Sequence, residues 1–167
     1  MSAFLRLLRR ASALPVLLAS GALFALMVMT FCDVILRSAF NAPIEAATEL
    51  TRILMAIIVF SVLPMVSARG HHIAVDLTDP FFHRVRAARL RDGMIHLLSG
   101  AMLYWPFDRL RVLAERQRSY GDVTEYLAIP QFYISWFIAL AVALAGLAML
   151  VVGVLTLIAP KLLRDAQ

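Results

Sequence analysis

Cysteine is almost absent from this sequence, and its scarcity excludes one class of membrane enzyme. The only cysteine is Cys32, so the chain has no partner with which to form an intrachain disulfide. A quinone-linked disulfide oxidase needs paired cysteines and is therefore excluded. Cys32 lies inside an apolar run, where a lone cysteine behaves as a small hydrophobic residue.

The sequence also lacks the patterns that accompany common enzyme chemistry. It contains no glycine-rich phosphate loop and no Ser/His/Asp arrangement that indicates nucleophilic catalysis. A weak signal for a metal or haem site comes from histidines and aspartates that could collect near the ends of the second and third apolar runs, because two imidazoles can hold a metal or a haem. These residues are His71, His72, Asp76, Asp79, His83 and His96. Of the four histidines, only His96 lies in a predicted membrane span. We therefore expect no catalytic residue, no cofactor and no metal site.

Charged residues are scarce, at 16% of 167 positions, whereas hydrophobic residues reach 62% and the mean hydropathy is +0.82. Soluble domains contain about 45–50% apolar residues. The charges here cluster between long apolar runs and do not alternate along amphipathic faces as in a soluble bundle. This composition predicts an all-α integral membrane protein. Its net charge of +5 is usual for a membrane protein with basic loops and does not indicate a nucleic-acid partner.

Four apolar runs predict four transmembrane helices in a single membrane domain covering residues 1–167. A helix needs roughly 20 residues to cross a hydrocarbon core of about 30 Å. The run from Ala13 to Cys32 meets this length alone, and the second run meets it when the helix starts at Ala46. The third must continue through Asp108 and Arg109 to span, so it is the weakest of the four. The predicted spans cover about residues 13–36, 46–68, 93–114 and 130–159.

A short amphipathic surface helix is predicted in the loop between the second and third spans. Asp79 before Pro80 is typical of a helix start, and Gly93 of a helix end. Apolar residues fall on one face and arginines on the rest, which is the pattern of a helix lying on an anionic membrane surface. A solvated basic linker is the alternative. The helix covers about residues 80–92, and its basic face consists of Arg84, Arg86, Arg89 and Arg91.

The distribution of lysine and arginine predicts that both termini are cytoplasmic. Of the sixteen such residues, ten lie in the amino terminus, the second loop and the tail, and six on the opposite side. Loops rich in these residues stay in the cytoplasm. The amino-terminal apolar run is longer than a signal-peptide core and ends at Asp33 and Arg37, so we expect it to remain as an anchor. Four arginines of the third loop oppose this orientation, namely Arg109, Arg111, Arg116 and Arg118.

Charged residues collect just outside the ends of the first two predicted spans. Asp33 and Arg37 are four residues apart, and Glu49 is four residues after Glu45 and three before Arg52. Both sets suit pairing within a helix. The segment between the two spans is so short that the helices must be adjacent, which brings these charges together. They serve either helix-end electrostatics or the docking of a partner. The candidate docking or assembly residues are Arg37, Asn41, Glu45, Glu49 and Arg52.

Several short motifs, taken in order, resemble the small membrane subunit of tripartite ATP-independent periplasmic (TRAP) transporters. The matching stretches are 37–44, Glu49 with Leu50, and 69–77, and the stretch 121–130 before the last span is similar to the same family's pattern. Many members have a tryptophan where this chain has Ala46, which leaves the subfamily and the substrate open. The family-motif residues of the predicted cytoplasmic loop are Gly70, His72 and Asp76.

The resemblance implies a non-catalytic, DctQ-like scaffold subunit in the bacterial inner membrane. Such a subunit assembles with a large membrane subunit among membrane lipids and works with a periplasmic substrate-binding protein in sodium-driven uptake of small organic acids. The large subunit then holds the substrate and sodium sites. This agrees with the middle of each predicted span, which lacks the ionisable groups of an independent transporter. Two alternatives stay open: a four-helix membrane redox module with haem or quinone, and a self-sufficient small homo-oligomeric transporter.

Overall fold

The computed structural model describes residues 2–69 and 88–158, and these residues form five α-helices. No strand occurs within these ranges, and an isolated β-bridge pairs Val123 with Pro130 in the loop before the last helix. The predicted all-α class is confirmed for the described residues. The helices are α1 (Ser2–Phe40), α2 (Ala47–Arg69), α3 (Ala88–Met102), α4 (Tyr104–Tyr120) and α5 (Gln131–Ile158).

Three helices in the described part of the chain are long and apolar enough to cross a membrane. These segments are Leu14–Phe40, Ala47–Ser67 and Gln131–Ile158, with mean hydropathies of 2.1, 2.1 and 2.8. They correspond to the first, second and fourth predicted spans. The chain is therefore a membrane protein, as its composition predicted.

The third predicted span is divided between two helices. α3 ends at Met102 and Leu103 forms a turn, so neither α3, with 15 residues, nor α4, with 17, reaches the length of a span by itself. Pro106 explains the position of the interruption, because it has no amide hydrogen for the Met102 carbonyl and its ring crowds that carbonyl. Hydrogen bonds from the Leu103 amide to Ser99 and from the Phe107 amide to Leu103, each 3.2 Å long, continue across the break. A fourth span stays a prediction.

α3 runs through Gly93, where the sequence predicted the boundary between the surface helix and the third span. Glycine at this position serves close packing and does not end a helix. A Cβ atom on Gly93 would lie 2.5 Å from the Leu157 side chain of α5. Arg89 and Arg91 of the predicted basic face therefore belong to α3. The other predicted loop residues lie outside the described residues: Gly70, His72, Asp76, Arg84 and Arg86.

The chain divides into two compact units. The first combines Met1–Val62 with Leu110–Ala139, and the second combines Leu63–Arg109 with Leu140–Gln167. The buried apolar residues described in the first unit all have small side chains, which let membrane helices approach closely. These buried alanines are Ala19, Ala22, Ala114 and Ala139.

Glycines bring α3 and α5 together in the second unit. A Cβ atom on Gly100 would lie 3.0 Å from the Gly146 carbonyl oxygen, and one on Gly153 would lie 3.2 Å from the Gly93 carbonyl oxygen. A backbone carbonyl cannot rotate away as the end of a side chain can. We call Gly93, Gly100, Gly146 and Gly153 the glycine seam. In lipid there is no hydrophobic driving force between helices, so close packing at small residues holds membrane helices together instead.

Candidate functional site

The five predicted docking residues, which we call the α1–α2 patch, all lie in the first unit. Asn41 ends α1, because it adopts a left-handed backbone conformation with a φ of 50°. Asparagine tolerates this conformation better than most residues do. The Ala42 amide then bonds back to the Leu36 carbonyl at 3.2 Å, which satisfies an acceptor at the helix end. Asn41 therefore has a structural role at the end of α1, in addition to the docking role predicted for it.

Asp33 ties the end of α1 to the segment that leads into α2. Its Oδ2 accepts a hydrogen bond from Nη2 of Arg37 at 3.0 Å, so the pairing predicted from their spacing is confirmed. Its Oδ1 accepts a hydrogen bond from the Ile44 amide at 2.8 Å. The Asp33 side chain is only 13% exposed, whereas that of Arg37 is 64% exposed. Asp33 therefore fixes the path of the connecting segment and leaves most of Arg37 accessible.

Glu49 bonds to the loop before α5, and within the described residues it forms no ion pair with Arg52. Its Oε1 accepts a hydrogen bond from the Tyr126 amide at 2.8 Å, and its Oε2 accepts one from the Leu127 amide at 3.1 Å. The side chain of Thr124 also faces this carboxylate. Glu49 is only 9% exposed, and a carboxylate shielded in this way needs such donors. We call these two bonds the Glu49 anchor.

The loop that receives Glu49, residues 121–130, is closed by its own hydrogen bonds. Gly121 ends α4 with a φ of 70°, a conformation that favours glycine, and the Asp122 amide bonds to the Gln117 carbonyl at 3.0 Å. This bond closes the helix end in the manner of a Schellman motif. The Thr124 amide bonds to the Ile129 carbonyl at 2.9 Å, and the Ile129 amide bonds to the Thr124 hydroxyl at 3.1 Å. We call this segment the α4–α5 loop.

Ala128 adopts an unfavourable conformation within the α4–α5 loop. Its φ of 50° is uncommon for a residue with a Cβ atom. Such a conformation persists only where the surrounding structure holds it. The Glu49 anchor binds the amides of Tyr126 and Leu127, the two residues that precede Ala128. The shape of the loop and the position of Glu49 therefore depend on each other.

An open cleft of about 590 Å³ lies between the first turns of α2, the end of α4 and the start of α5, all in the first unit. A chain of polar side chains lines it. Ser135 donates its hydroxyl to Oε1 of Gln117 at 2.6 Å, and Nε2 of Gln117 lies 3.4 Å from Oε1 of Gln131. Arg52 and Glu125 also line the cleft, and both are exposed. Glu49 lines it too, so the cleft holds one cation and two carboxylates beside neutral hydrogen-bonding groups.

The residues considered for metal or haem binding are only partly described. His96 bonds through Nδ1 to the Asp92 carbonyl at 2.8 Å, and Asp92 pairs with Arg91 at 2.9 Å. Within 2–69 and 88–158, no three His, Cys, Asp or Glu side chains form a group that could hold a metal ion. His71, His72 and His83 lie outside those ranges, and so do Asp76 and Asp79.

Sequence reasoning missed the partners of Glu49 and the polar chain of the cleft. One feature of the sequence does point to hydrogen-bond partners for Glu49. It is an acidic residue in the first turn of an apolar helix, where a carboxylate needs hydrogen-bond donors. In the sequence, the stretch 121–130 stands out only as a family motif. The residues that were missed are Gln117, Tyr126, Leu127, Gln131 and Ser135.

Comparison with models of protein families assigns the chain to a family. Residues 26–159 match the family model described as "Tripartite ATP-independent periplasmic transporters, DctQ component". The chain belongs to the DctQ family. It is thus a small membrane component of a TRAP transporter, as the motifs predicted. The DctQ match includes the whole α1–α2 patch and the α4–α5 loop. No curated protein and no solved structure matched the chain.

Proposed function

We propose that this DctQ chain is a non-catalytic scaffold that binds the large membrane subunit and helps to dock the periplasmic substrate-binding protein during sodium-driven uptake of small organic acids. The observation that carries the proposal is the Glu49 anchor. It holds the α4–α5 loop against the first turn of α2, at 2.8 and 3.1 Å. Arg52 and Glu125 then flank the same cleft as parts of a fixed surface. A fixed charged surface suits docking, which depends on register.

The apolar faces of α1 and α2 support the proposed assembly with the large subunit. In their most apolar windows, 11% and 6% of the residues are buried within the chain, compared with 39% in α5. Large side chains on α1 are accordingly exposed, such as Leu17 at 72% and Phe24 at 64%. In a membrane these faces meet either lipid or another subunit. The exposed face of α1 also contains a shallow apolar groove into which side chains of another subunit could pack. The groove is lined by Leu23, Met27, Phe31 and Val34.

We further propose that the chain lies in the bacterial inner membrane with both termini in the cytoplasm. The ten-to-six distribution of lysine and arginine supports this orientation. The α1–α2 patch and the α4–α5 loop then face the periplasm, where a substrate-binding protein would reach them.

Single cysteines introduced into a Cys32-free chain test this orientation. A membrane-impermeant thiol reagent added from outside should label cysteines at Ala42 and Val123, which the proposed orientation exposes to the periplasm. Cysteines at Ala3 and Ala87 should be labelled only after the membrane is permeabilised. Labelling of the last two positions in intact cells would contradict the proposed orientation.

Arg52→Ala tests the docking role. Because a charge at the edge of an interface acts mainly on encounter and salt dependence, we expect about a fivefold rise in the binding-protein concentration that gives half-maximal uptake. Excess binding protein should restore uptake, and the preference among solutes should stay unchanged. The matched control is Arg118→Ala, since Arg118 is also an exposed arginine of the first unit but does not line the cleft.

Two other results would overturn the scaffold proposal. One is an Arg52→Ala complex that assembles and docks normally but transports a different range of solutes. The other is transport by this chain when it is reconstituted alone, because a scaffold has no solute pathway of its own. Co-purification of the large subunit in mild detergent provides the assembly measurement for the Arg52→Ala complex.

A further inference from the structure

A groove of about 660 Å³ runs along one side of α4 beside the start of α5. Its residues all belong to the first unit. Arg111, Glu115 and Arg116 supply its charges, and Tyr120 and Trp136 supply its aromatic rings. The α4 residues that line it form three adjacent pairs four positions apart, the spacing of successive turns along one side of a helix.

Trp136 places this groove at the level of the lipid headgroups. α5 has 28 residues and a length of about 42 Å, which exceeds a hydrocarbon core of about 30 Å. α5 therefore extends beyond the core into the membrane interface, and Trp136 is the sixth residue from its first end. Tryptophan and tyrosine prefer this region, because their rings are apolar and their N–H or O–H groups are polar. Trp136 is 41% exposed and Tyr120 is 76% exposed, so both rings are accessible from the groove.

The charges of the groove suit a phosphate group. Arg111 and Arg116 are both exposed, and a planar guanidinium can donate two parallel hydrogen bonds to phosphate oxygens. With Glu115 included, the lining carries one net positive charge. The arginines of this helix are also the ones that oppose the predicted orientation of the chain. Membrane orientation therefore does not account for them, whereas their guanidinium groups suit an anion.

We propose that this groove binds the headgroup of an anionic phospholipid. Arg111 and Arg116 hold the phosphate, and the ring of Trp136 packs against the apolar part of the lipid next to the headgroup. A lipid with one net negative charge complements the net charge of the lining. This inference does not depend on the proposed scaffold function, because it requires only that the groove lie at a membrane interface.

Trp136 provides a direct measurement of this binding. The chain contains two tryptophans, so Trp105→Phe leaves Trp136 as the only indole fluorophore. The full-length Trp105→Phe chain is titrated in mild detergent with phosphatidylglycerol that is brominated in the upper part of its acyl chains. We expect saturable quenching of Trp136 fluorescence that unlabelled phosphatidylglycerol reverses. Phosphatidylcholine should compete poorly, and inorganic phosphate should not compete at the same concentration.

Arginine substitutions in the Trp105→Phe chain test the assignment of the phosphate contacts. Arg116→Gln should raise the half-saturating lipid concentration about fivefold, the factor that corresponds to ~1 kcal/mol for a basic residue near an anionic surface. Arg111→Gln should have a similar effect, and Arg116→Lys, which keeps the charge, a smaller one. Arg118→Gln is the matched control, because it removes the same charge from an exposed arginine of α4 that does not line the groove. It should leave binding unchanged.

Three outcomes would overturn the proposal. Equal, non-saturating quenching by phosphatidylglycerol and phosphatidylcholine would mean contact with bulk lipid only. Equal losses in the Arg116→Gln and Arg118→Gln chains would mean unspecific attraction by the net charge of α4. Displacement of the lipid by inorganic phosphate would mean a site for free anions. Elution of each variant as a single symmetric peak, as for the parent chain, confirms that binding is compared between folded proteins.

Discussion

Replacing Glu49 by alanine should release the α4–α5 loop while the membrane helices stay in place. The change removes the acceptors of the Tyr126 and Leu127 amides. An amide that loses its partner must bond to water or to another acceptor, and the loop loses its link to α2. Hydrogen exchange at these two amides should therefore accelerate on the order of tenfold or more. The unfavourable conformation of Ala128 gives the released loop a further reason to rearrange.

Two further variants separate the Glu49 anchor from a general effect of charge. Glu45→Ala removes an exposed acid four residues earlier and should leave exchange in the loop unchanged. Glu49→Gln keeps one acceptor oxygen but turns an amide group toward the second donor, so its effect should be intermediate. Uptake should fall further in Glu49→Ala than in Arg52→Ala, because the first change displaces the whole loop. Unchanged exchange at Tyr126 and Leu127 in Glu49→Ala would refute the anchor.

The sequence located the apolar helices well, because their signal is strong and continuous. The second and fourth predicted spans, at about 46–68 and 130–159, agree within one residue with Ala47–Arg69 and Gln131–Ile158. The third span was harder to predict, because charged residues follow its apolar stretch. In addition, Pro106 interrupts the backbone hydrogen bonds of this region near Met102. The helix end predicted at Gly93 is wrong for a different reason. Glycine favours helix ends in water, but between membrane helices it also permits close packing.

Contacts at the charged site were predictable only where they are local. Asp33 and Arg37 lie four residues apart in one helix, and the sequence was sufficient to predict their ion pair. The partners of Glu49 lie 77 and 78 residues further along the chain. They are also backbone amides, which every residue except proline carries, so no residue type marks them. The anchor therefore became visible only when the structure placed the α4–α5 loop beside α2.

The glycine seam between α3 and α5 should respond unequally to alanine at its two facing positions. A Cβ atom on Gly100 would lie 2.9 Å from Cγ of Leu150 and 3.0 Å from the Gly146 carbonyl oxygen, so Leu150 must shift and the α5 backbone must give way to admit it. A Cβ atom on Gly146 would lie 3.4 Å from the Gly100 carbonyl oxygen, which is an ordinary contact. Alanine at either position also brings a helix-propensity gain of up to about 1 kcal/mol. Only at Gly100 does crowding oppose this gain.

Gly21 supplies the control for this comparison, because nothing lies within 4 Å of the position that its Cβ atom would occupy. Gly21→Ala should therefore be neutral or stabilising, and Gly146→Ala close to neutral. Gly100→Ala should be destabilising, since overpacking costs about 1–3 kcal/mol and exceeds the gain in helix propensity. For a chain of this length, each 1 kcal/mol corresponds to a shift in Tm of roughly 2–4 °C. Thermal unfolding of the three variants in the same detergent, followed by circular dichroism, measures the order. If Gly100→Ala is as stable as Gly21→Ala, then α3 and α5 do not approach as closely as the seam requires, and the continuation of α3 through Gly93 loses its packing explanation.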